Sequence, residues 1–377
     1  MFRQNFIKIE LGCASMTNFH VRLVQNHMAT EFRFVISCDS LRTVSAEQVL
    51  RESHRLVSLL ESELSEFLEN SPVSRLNSSQ KGERIVVPPS VWHLYRRSLE
   101  MQKLTEGSFD ATVKSLSSRR EPRFGGDGNA MWKEDGDARL SFGAIGKGYA
   151  LDRVRVLVER EGFHDFILDA GGSSQILSGF SDMETPWKWG WSWSRDEEGN
   201  DLGVEFEHRT GDAVSLGISG YHEKGRHILD ARNATKATSG KTALIGHDSA
   251  TDADALSTAL LVAGWEASVP LMEQSATPAM AMVESDDTTR WNGRFQALWG
   301  SPLGALLLWL FQLPSMVFGE EESFDLSDLG FEDFTPYMIE RDSLWVLLPA
   351  LSLLLVLIHL QKPKKERVRP QKMETIE

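Results

Sequence analysis

SFGAIGKGYALD, residues 141–152, gathers Gly143, Gly146 and Gly148 around the start of a helix. Glycine lets backbone come close to a neighbour, and the free amides of a helix start favour an anion, which Lys147 is placed to meet. The stretch is neither GxxxxGKS/T nor GxGxxG, so it reads as a phosphate-binding turn of another kind or as glycine-mediated helix packing. Further along, ATDADALSTALLVAG (250–264) predicts a helix beginning near Asp252, on which Asp254 and Thr258 share one face. A carboxylate and a hydroxyl one turn apart suit Mg²⁺, which takes few protein ligands. The competing reading makes Asp252 or Asp254 a helix cap and Thr258 a packing residue.

Working outward, residues 44–69 place Val49, Leu50, Leu56, Leu59, Leu60, Leu64 and Phe67 at helical spacing with charges opposite, predicting an amphipathic helix. NSPVSRLNSS breaks it, VVPPSVWHLYRRSLEMQKLTEG starts another behind a proline pair, and Gly107 stops that one. Alternation in WKWGWSW puts Trp187, Trp189, Trp191 and Trp193 on one face of a strand, serving as packing or as an aromatic ligand box. Helices within 44–104, 146–161 and 252–264 interspersed with short strands give an α+β or mixed α/β class. GSFDATVKSL (107–116) and DAGGSSQILSG (169–179) also concentrate glycine, acid and hydroxyl groups, and His227 stands alone in GRHILDARN. No HExxH or GxSxG is present, which argues against a zinc enzyme or a serine hydrolase.

At 377 residues, the chain has room for two or three folding units of roughly 100–200 residues each. Forty Lys and Arg against 54 Asp and Glu leave a net charge of −14, which excludes the basic footprint of a nucleic-acid binder. A phosphate-bearing ligand then needs local donors or a metal. Cys13 and Cys38 are too few for a disulfide framework.

The start, MFRQNFIKIELGCASM, lacks the apolar run of a secretory signal. Phe295–Gly319 and Ser343–Gln361 carry no charge; at 1.5 Å per residue the second spans roughly 28 Å, enough for a bilayer core. Pro302, Gly304, Gln312 and Pro314 give the first segment a re-entrant or interfacial alternative. The expected organisation is an N-terminal extension (1–20), a folded domain (21–294), a membrane region (295–361) and a basic tail (362–377). Within the membrane region, candidate helices 300–319 and 343–361 flank an acidic loop, 320–342. Lys and Arg in the tail place it in the cytoplasm, and a two-helix hairpin returns residues 1–294 to the same side.

Taken in order, MAT (28–30), SEFLENSPVSRLN (65–77), GSFDATVKSL, FGAIGKGYALD, LDAGGSSQILSG, ISGYHEKGRHILDAR (218–232) and ATDADALSTALLVAG resemble the FAD:protein FMN transferases, the ApbE family, from about Met28 to Gly264. The resemblance implies an α+β, mixed-sheet domain that uses FAD and Mg²⁺ to attach FMN to a Ser or Thr of a target redox protein. Residue by residue, it implies that Met28, Phe67, Ser108, Phe109, Asp110, Ser141, Lys147 and His227 line the FAD site. The Ala144 carbonyl, Asp254 and Thr258 would hold the metal, with His227 and Asp254 catalytic. Ser141 stands where many members have Asp, and HILDARNAT replaces their HIxDPxTG. A flavin-binding protein without transferase activity is the alternative function that these departures suggest.

The hairpin topology predicts that reporters fused after Arg294 and after Lys372 report the cytoplasm and that one within 320–342 reports the opposite side. An external reporter at Arg294 favours a single span.

Overall fold

The protein, a computed structural model, is described for residues 8–10, 18–112, 123–182, 185–195, 201–220, 228–230, 232, 235–236, 239–273, 278–285 and 288–299. These fall in one compact unit, Met1–Phe311; a second unit, Gln312–Glu377, lies outside the described residues. So do both candidate membrane helices, the acidic loop and the basic tail. No helix among the described residues is long and apolar enough to cross a membrane.

Strands β1 (Lys8–Glu10), β2 (Asn18–His27) and β3 (Thr30–Asp39) lead into helices α1 (Thr43–Leu64) and α2 (Pro72–Ser78). Next come β4 (Ile85–Val86), α3 (Pro89–Leu104), β5 (Phe124–Gly126), β6 (Ala130–Lys133) and α4 (Gly146–Arg160). A run of strands follows: β7 (Phe166–Ala170), β8 (Ser174–Ser178), β9 (Phe180–Asp182), β10 (Thr185–Arg195), β11 (Asp201–His208), β12 (Val214–Gly220), β13 (Leu229–Asp230), β14 (Thr235–Lys236) and β15 (Gly240–His247). The chain then forms α5 (Ala250–Ala263), α6 (Trp265–Glu273), β16 (Ala279–Glu284), β17 (Thr289–Trp291) and α7 (Gly293–Trp299).

Nine strands form the main sheet in the order β1-β2-β3-β7-β8-β12-β15-β16-β17. The α+β class holds, but the mixed sheet does not: every neighbouring pair in this sheet is antiparallel. Tight hairpins join β2 to β3 and β7 to β8, and β15 reaches β16 through two helices in succession rather than the single crossover helix of a parallel unit.

Strand alternation sorts the core onto two faces. Ala243 and Ile245 of β15, with Met280 and Met282 of β16, join the cluster under α1, α3, α4 and α5. Their neighbours Leu244, Ala279, Ala281 and Val283 face the other way, onto β10, β11 and α7. There Trp187, Trp189 and Trp191 are buried, Trp189 stacks on Phe206 at 4.8 Å, and Phe295 of α7 packs against Trp191 and Trp299. These indoles are therefore core; the Trp193 side chain lies outside the described set. Phe295–Trp299, the start of the first uncharged segment, belongs to this packing.

The predicted helix over 44–69 ends early, at Leu64. Ser65 turns its hydroxyl to accept from the amides of Phe67 (3.1 Å) and Leu68 (3.2 Å), capturing donors that helix continuation needs. Leu59 and Phe67, expected on the apolar face, are exposed instead. The other helix limit also moves: Ser249 caps α5, accepting from the Asp252 amide, so neither Asp252 nor Asp254 is the cap. Asp252 pairs with Arg97 of α3, and Asp152 of α4 accepts from the Ala250 (2.8 Å) and Thr251 (2.9 Å) amides.

Helix α5 is almost wholly buried, its polar residues Thr251, Asp252, Asp254 and Ser257 included, as a central helix is. Two glycines let its neighbours reach it. A Cβ on Gly148 of α4 would stand 2.0 Å from the Ala250 carbonyl oxygen, and one on Gly217 of β12 2.1 Å from that of Ala253. Gly148 thus serves helix packing rather than ligand approach, whereas a Cβ on Gly143 would come no closer than 3.6 Å to Ser141 Oγ.

Two expectations follow from this packing. Gly148→Ala should lower stability by about 1–3 kcal/mol in urea unfolding, with Gly143→Ala near neutral. The second concerns His54 of α1, which is buried, stacks on Phe34 at 4.5 Å, and has its pKa lowered by burial to about 4 from 6.5. Between those values the unfolded chain binds a proton that the folded chain refuses, so stability present above pH 6.5 is lost as pH falls toward 4. His54→Gln should flatten this pH dependence by up to about 3 kcal/mol. An unchanged slope in the variant would reject the assignment.

Candidate functional site

A cleft of about 870 Å³ opens where strand turns, the loop after α1 and the starts of two helices converge. Its walls are the β2–β3 turn (Met28–Thr30), the loop Ser65–Leu68, residues Ser108–Ala111, the α4 approach from Ser141 to Lys147, the glycine turn Gly171–Ser173, Gly190 and Ser192 of β10, Ile218–Gly220, and Asp254 with Thr258 of α5. Met28, Phe67, Ser108, Phe109, Asp110, Ser141, Ala144, Lys147, Asp254 and Thr258, widely separated in sequence, all border this one space. His227 lies outside the described residues. Ser108 and Phe109 line the cleft with little exposed surface, 4% and 2%.

Asp254 sits at the floor, 3% exposed. Its Oδ1 accepts from Ser174 Oγ at 2.9 Å, its Oδ2 from the Gly148 amide at 3.1 Å, and Lys147 Nζ stands 3.6 Å from Oδ2. These contacts offset the desolvation of a buried carboxylate. They also leave something over: Gly148 N–H goes to Asp254 rather than to the carbonyl four residues back, so no backbone hydrogen bond among the described residues uses the Ala144 oxygen. Thr258 Oγ1 lies one turn beyond Asp254, 3.1 Å from Ser219 Oγ.

No group of three or more His, Cys, Asp or Glu able to hold a metal occurs among the described residues. Asp254, Thr258 and Ala144, which all border the cleft, carry a carboxylate, a hydroxyl and a backbone carbonyl, hard oxygens of the type that suits a cation keeping water and substrate oxygens in its shell. Charge supports the same fit. Among the described lining residues, Glu61, Glu66, Asp110 and Asp254 face a single ammonium, Lys147, so an anionic ligand needs an added cation.

At Ser141, the hydroxyl donates to Glu66 Oε1 at 2.5 Å, which brings a carboxylate to that point of the wall from another segment. Asp110 Oδ1 is engaged by the Thr112 amide and hydroxyl, both at 2.6 Å. Asp169, below the glycine turn, has its carboxyl pKa raised by burial, opposed by a bond from the Gly172 amide at 2.8 Å and by Arg33. Sequence reasoning missed Glu61 and Glu66, which look like ordinary charges near a helix end, and Ser174 and Ser219, which carry no motif of their own.

The ApbE family model matches residues 28–283. A FAD:protein FMN transferase of Vibrio cholerae serotype O1 is 22% identical over 269 residues, covering 63% of this chain and 79% of that protein. The solved flavin transferase ApbE from Vibrio cholerae shares the fold with a TM-score of 0.64 at 19% identity, covering 74% of this chain and 99% of its own. The apo Pseudomonas stutzeri flavinyl transferase ApbE gives 0.65 at 22% identity, covering 76% and 98%. Since the family match runs from Met28 in the first hairpin to Val283 in β16 and so encloses the whole described cleft, the chain belongs to the ApbE family.

Proposed function

We propose that this chain transfers FMN from FAD to a Ser or Thr hydroxyl of a target protein, with Mg²⁺ held by Asp254, Thr258 and the Ala144 carbonyl. The observation that carries the metal is the pairing of a spare backbone carbonyl with a buried carboxylate in a cleft whose described lining is net acidic. In the reaction, the acceptor oxygen forms a bond to the phosphorus on the riboflavin side of the pyrophosphate. The bond from that phosphorus to the bridging oxygen breaks, and AMP leaves with that oxygen. When bound by these residues, Mg²⁺ would supply neutralisation of the charge growing on the departing phosphate.

The protein groups divide the remaining work. Lys147, 3.6 Å from Asp254, adds a cation at the same point. Ser174 and the Gly148 amide hold the Asp254 carboxylate in one orientation, so no reorganisation is needed as charge develops. Glu66, bonded to Ser141, supports the transferase reading over the non-transferring alternative, because a carboxylate stands by the serine despite the substitution. His227, assigned from its motif, takes the acceptor proton in this reading. The acceptor is a redox protein at the same bilayer, where the uncharged segments 300–319 and 343–361 anchor this chain on its cytoplasmic side and raise the effective concentration of the pair.

Incubating the full chain with FAD, Mg²⁺ and an acceptor, then reading fluorescent adduct and released AMP, tests the activity. Asp254→Asn keeps the shape and one acceptor oxygen, so it should fold and retain FAD within about tenfold while losing transfer by about 10²-fold or more. Near-normal transfer by that variant would overturn the metal assignment.

A further inference from the structure

The turn between β2 and β3 is made of Met28 (φ 48°) and Ala29 (φ 61°), two residues with side chains in the left-handed region. Asn-Gly is the usual choice there, since a Cβ disfavours this conformation. The His27–Thr30 pairing leaves these two alone in the loop, and both line the cleft. What holds them is Glu61 of α1, whose Oε1 accepts the Met28 amide at 2.7 Å.

Behind Glu61 the proton positions follow from the acceptors. His54 Nε2 lies 3.3 Å from the Leu23 carbonyl, which only accepts, so His54 carries its proton there and offers a bare Nδ1. His27 Nε2, 3.2 Å from that Nδ1, must donate. A neutral His27 then turns a bare Nδ1 toward Glu61 Oε2, 3.7 Å away. Burial favours the neutral form of both rings, and at His27 it outweighs the opposing pull of the Glu61 carboxylate. A carboxamide at 61 satisfies this arrangement: its oxygen takes the Met28 amide, and its NH₂ points at the bare nitrogen of His27.

We propose that Glu61 is a positioning residue that holds the Met28–Ala29 turn as a wall of the flavin cleft, through the hydrogen bond it accepts and not through its charge. The proposal rests on the reading of this cleft as the FAD site. In the full chain, Glu61→Ala should raise both the Kd and the KM for FAD about tenfold or more and leave kcat within about threefold. Glu61→Gln should stay within about twofold of the wild type in all three. Hydrogen exchange of FAD-free protein should quicken across residues 27–31 in the Ala variant and stay unchanged in the Gln variant.

A Gln variant as weak as the Ala variant would show that the charge itself acts, and an Ala variant that binds FAD like the wild type would show that the turn holds itself; either overturns the proposal. If the Ala variant does not fold, the Gln variant decides. If the wild type binds no FAD, the functional reading fails and the exchange comparison alone judges the positioning role. Unchanged exchange in a folded Ala variant overturns the proposal while leaving the reading intact.

Discussion

The described core is built around a helix, α5, that meets solvent chiefly where Thr258 borders the cleft. Because α5 is buried nearly all round, its neighbours must approach through glycine, and they do so at Gly148 from α4 and at Gly217 from β12. The same burial makes the carboxylate of Asp254 expensive to place. It is tolerated because the close approach of Gly148 delivers an amide to it, and because β8 supplies the Ser174 hydroxyl. Packing and chemistry are therefore one constraint. The glycine that lets two helices touch also diverts its N–H to the acid, and that diversion frees the carbonyl of Ala144.

The cleft of this acidic protein sets an electrostatic condition on any anionic ligand, such as the pyrophosphate of the proposed FAD. Its described lining offers one ammonium against four carboxylates, so attraction has to come from something brought in with the ligand rather than from the wall. Ser141 adds a second lesson. The acid near it arrives from Glu66, in the loop that begins where Ser65 ends α1, so the early helix end and the carboxylate at the wall have a common origin.

Much of this was readable from local pattern, and the remainder depends on partners far along the chain. The alternation of Trp187, Trp189 and Trp191, the glycines before α4, and the spacing of Asp254 and Thr258 are periodic features that a strand or helix displays in one dimension. The antiparallel pairing of the whole main sheet is not, since alternation reads the same in either direction. Gly148 allowed two readings until its neighbour, Ala250, was known. Ser249 does not stand out as the cap of α5 in the sequence, because aspartates crowd the same few positions and all are acceptable caps. Glu61 carried no signal at all: its importance lies in an amide of the β2–β3 turn, which only the fold brings near.

The strand β10 carries tryptophan on one face and Gly190 and Ser192 on the other, and the smaller face borders the cleft. A pleated strand has just two faces, so a slip of one residue against β11 would exchange them. The indoles would then fill the ligand space, and a glycine and a serine would be left to face Phe206 and Phe295. The stacking on the far side of the sheet is thus what keeps the near side empty: the volume available to a substrate is set by aromatic residues that never meet it.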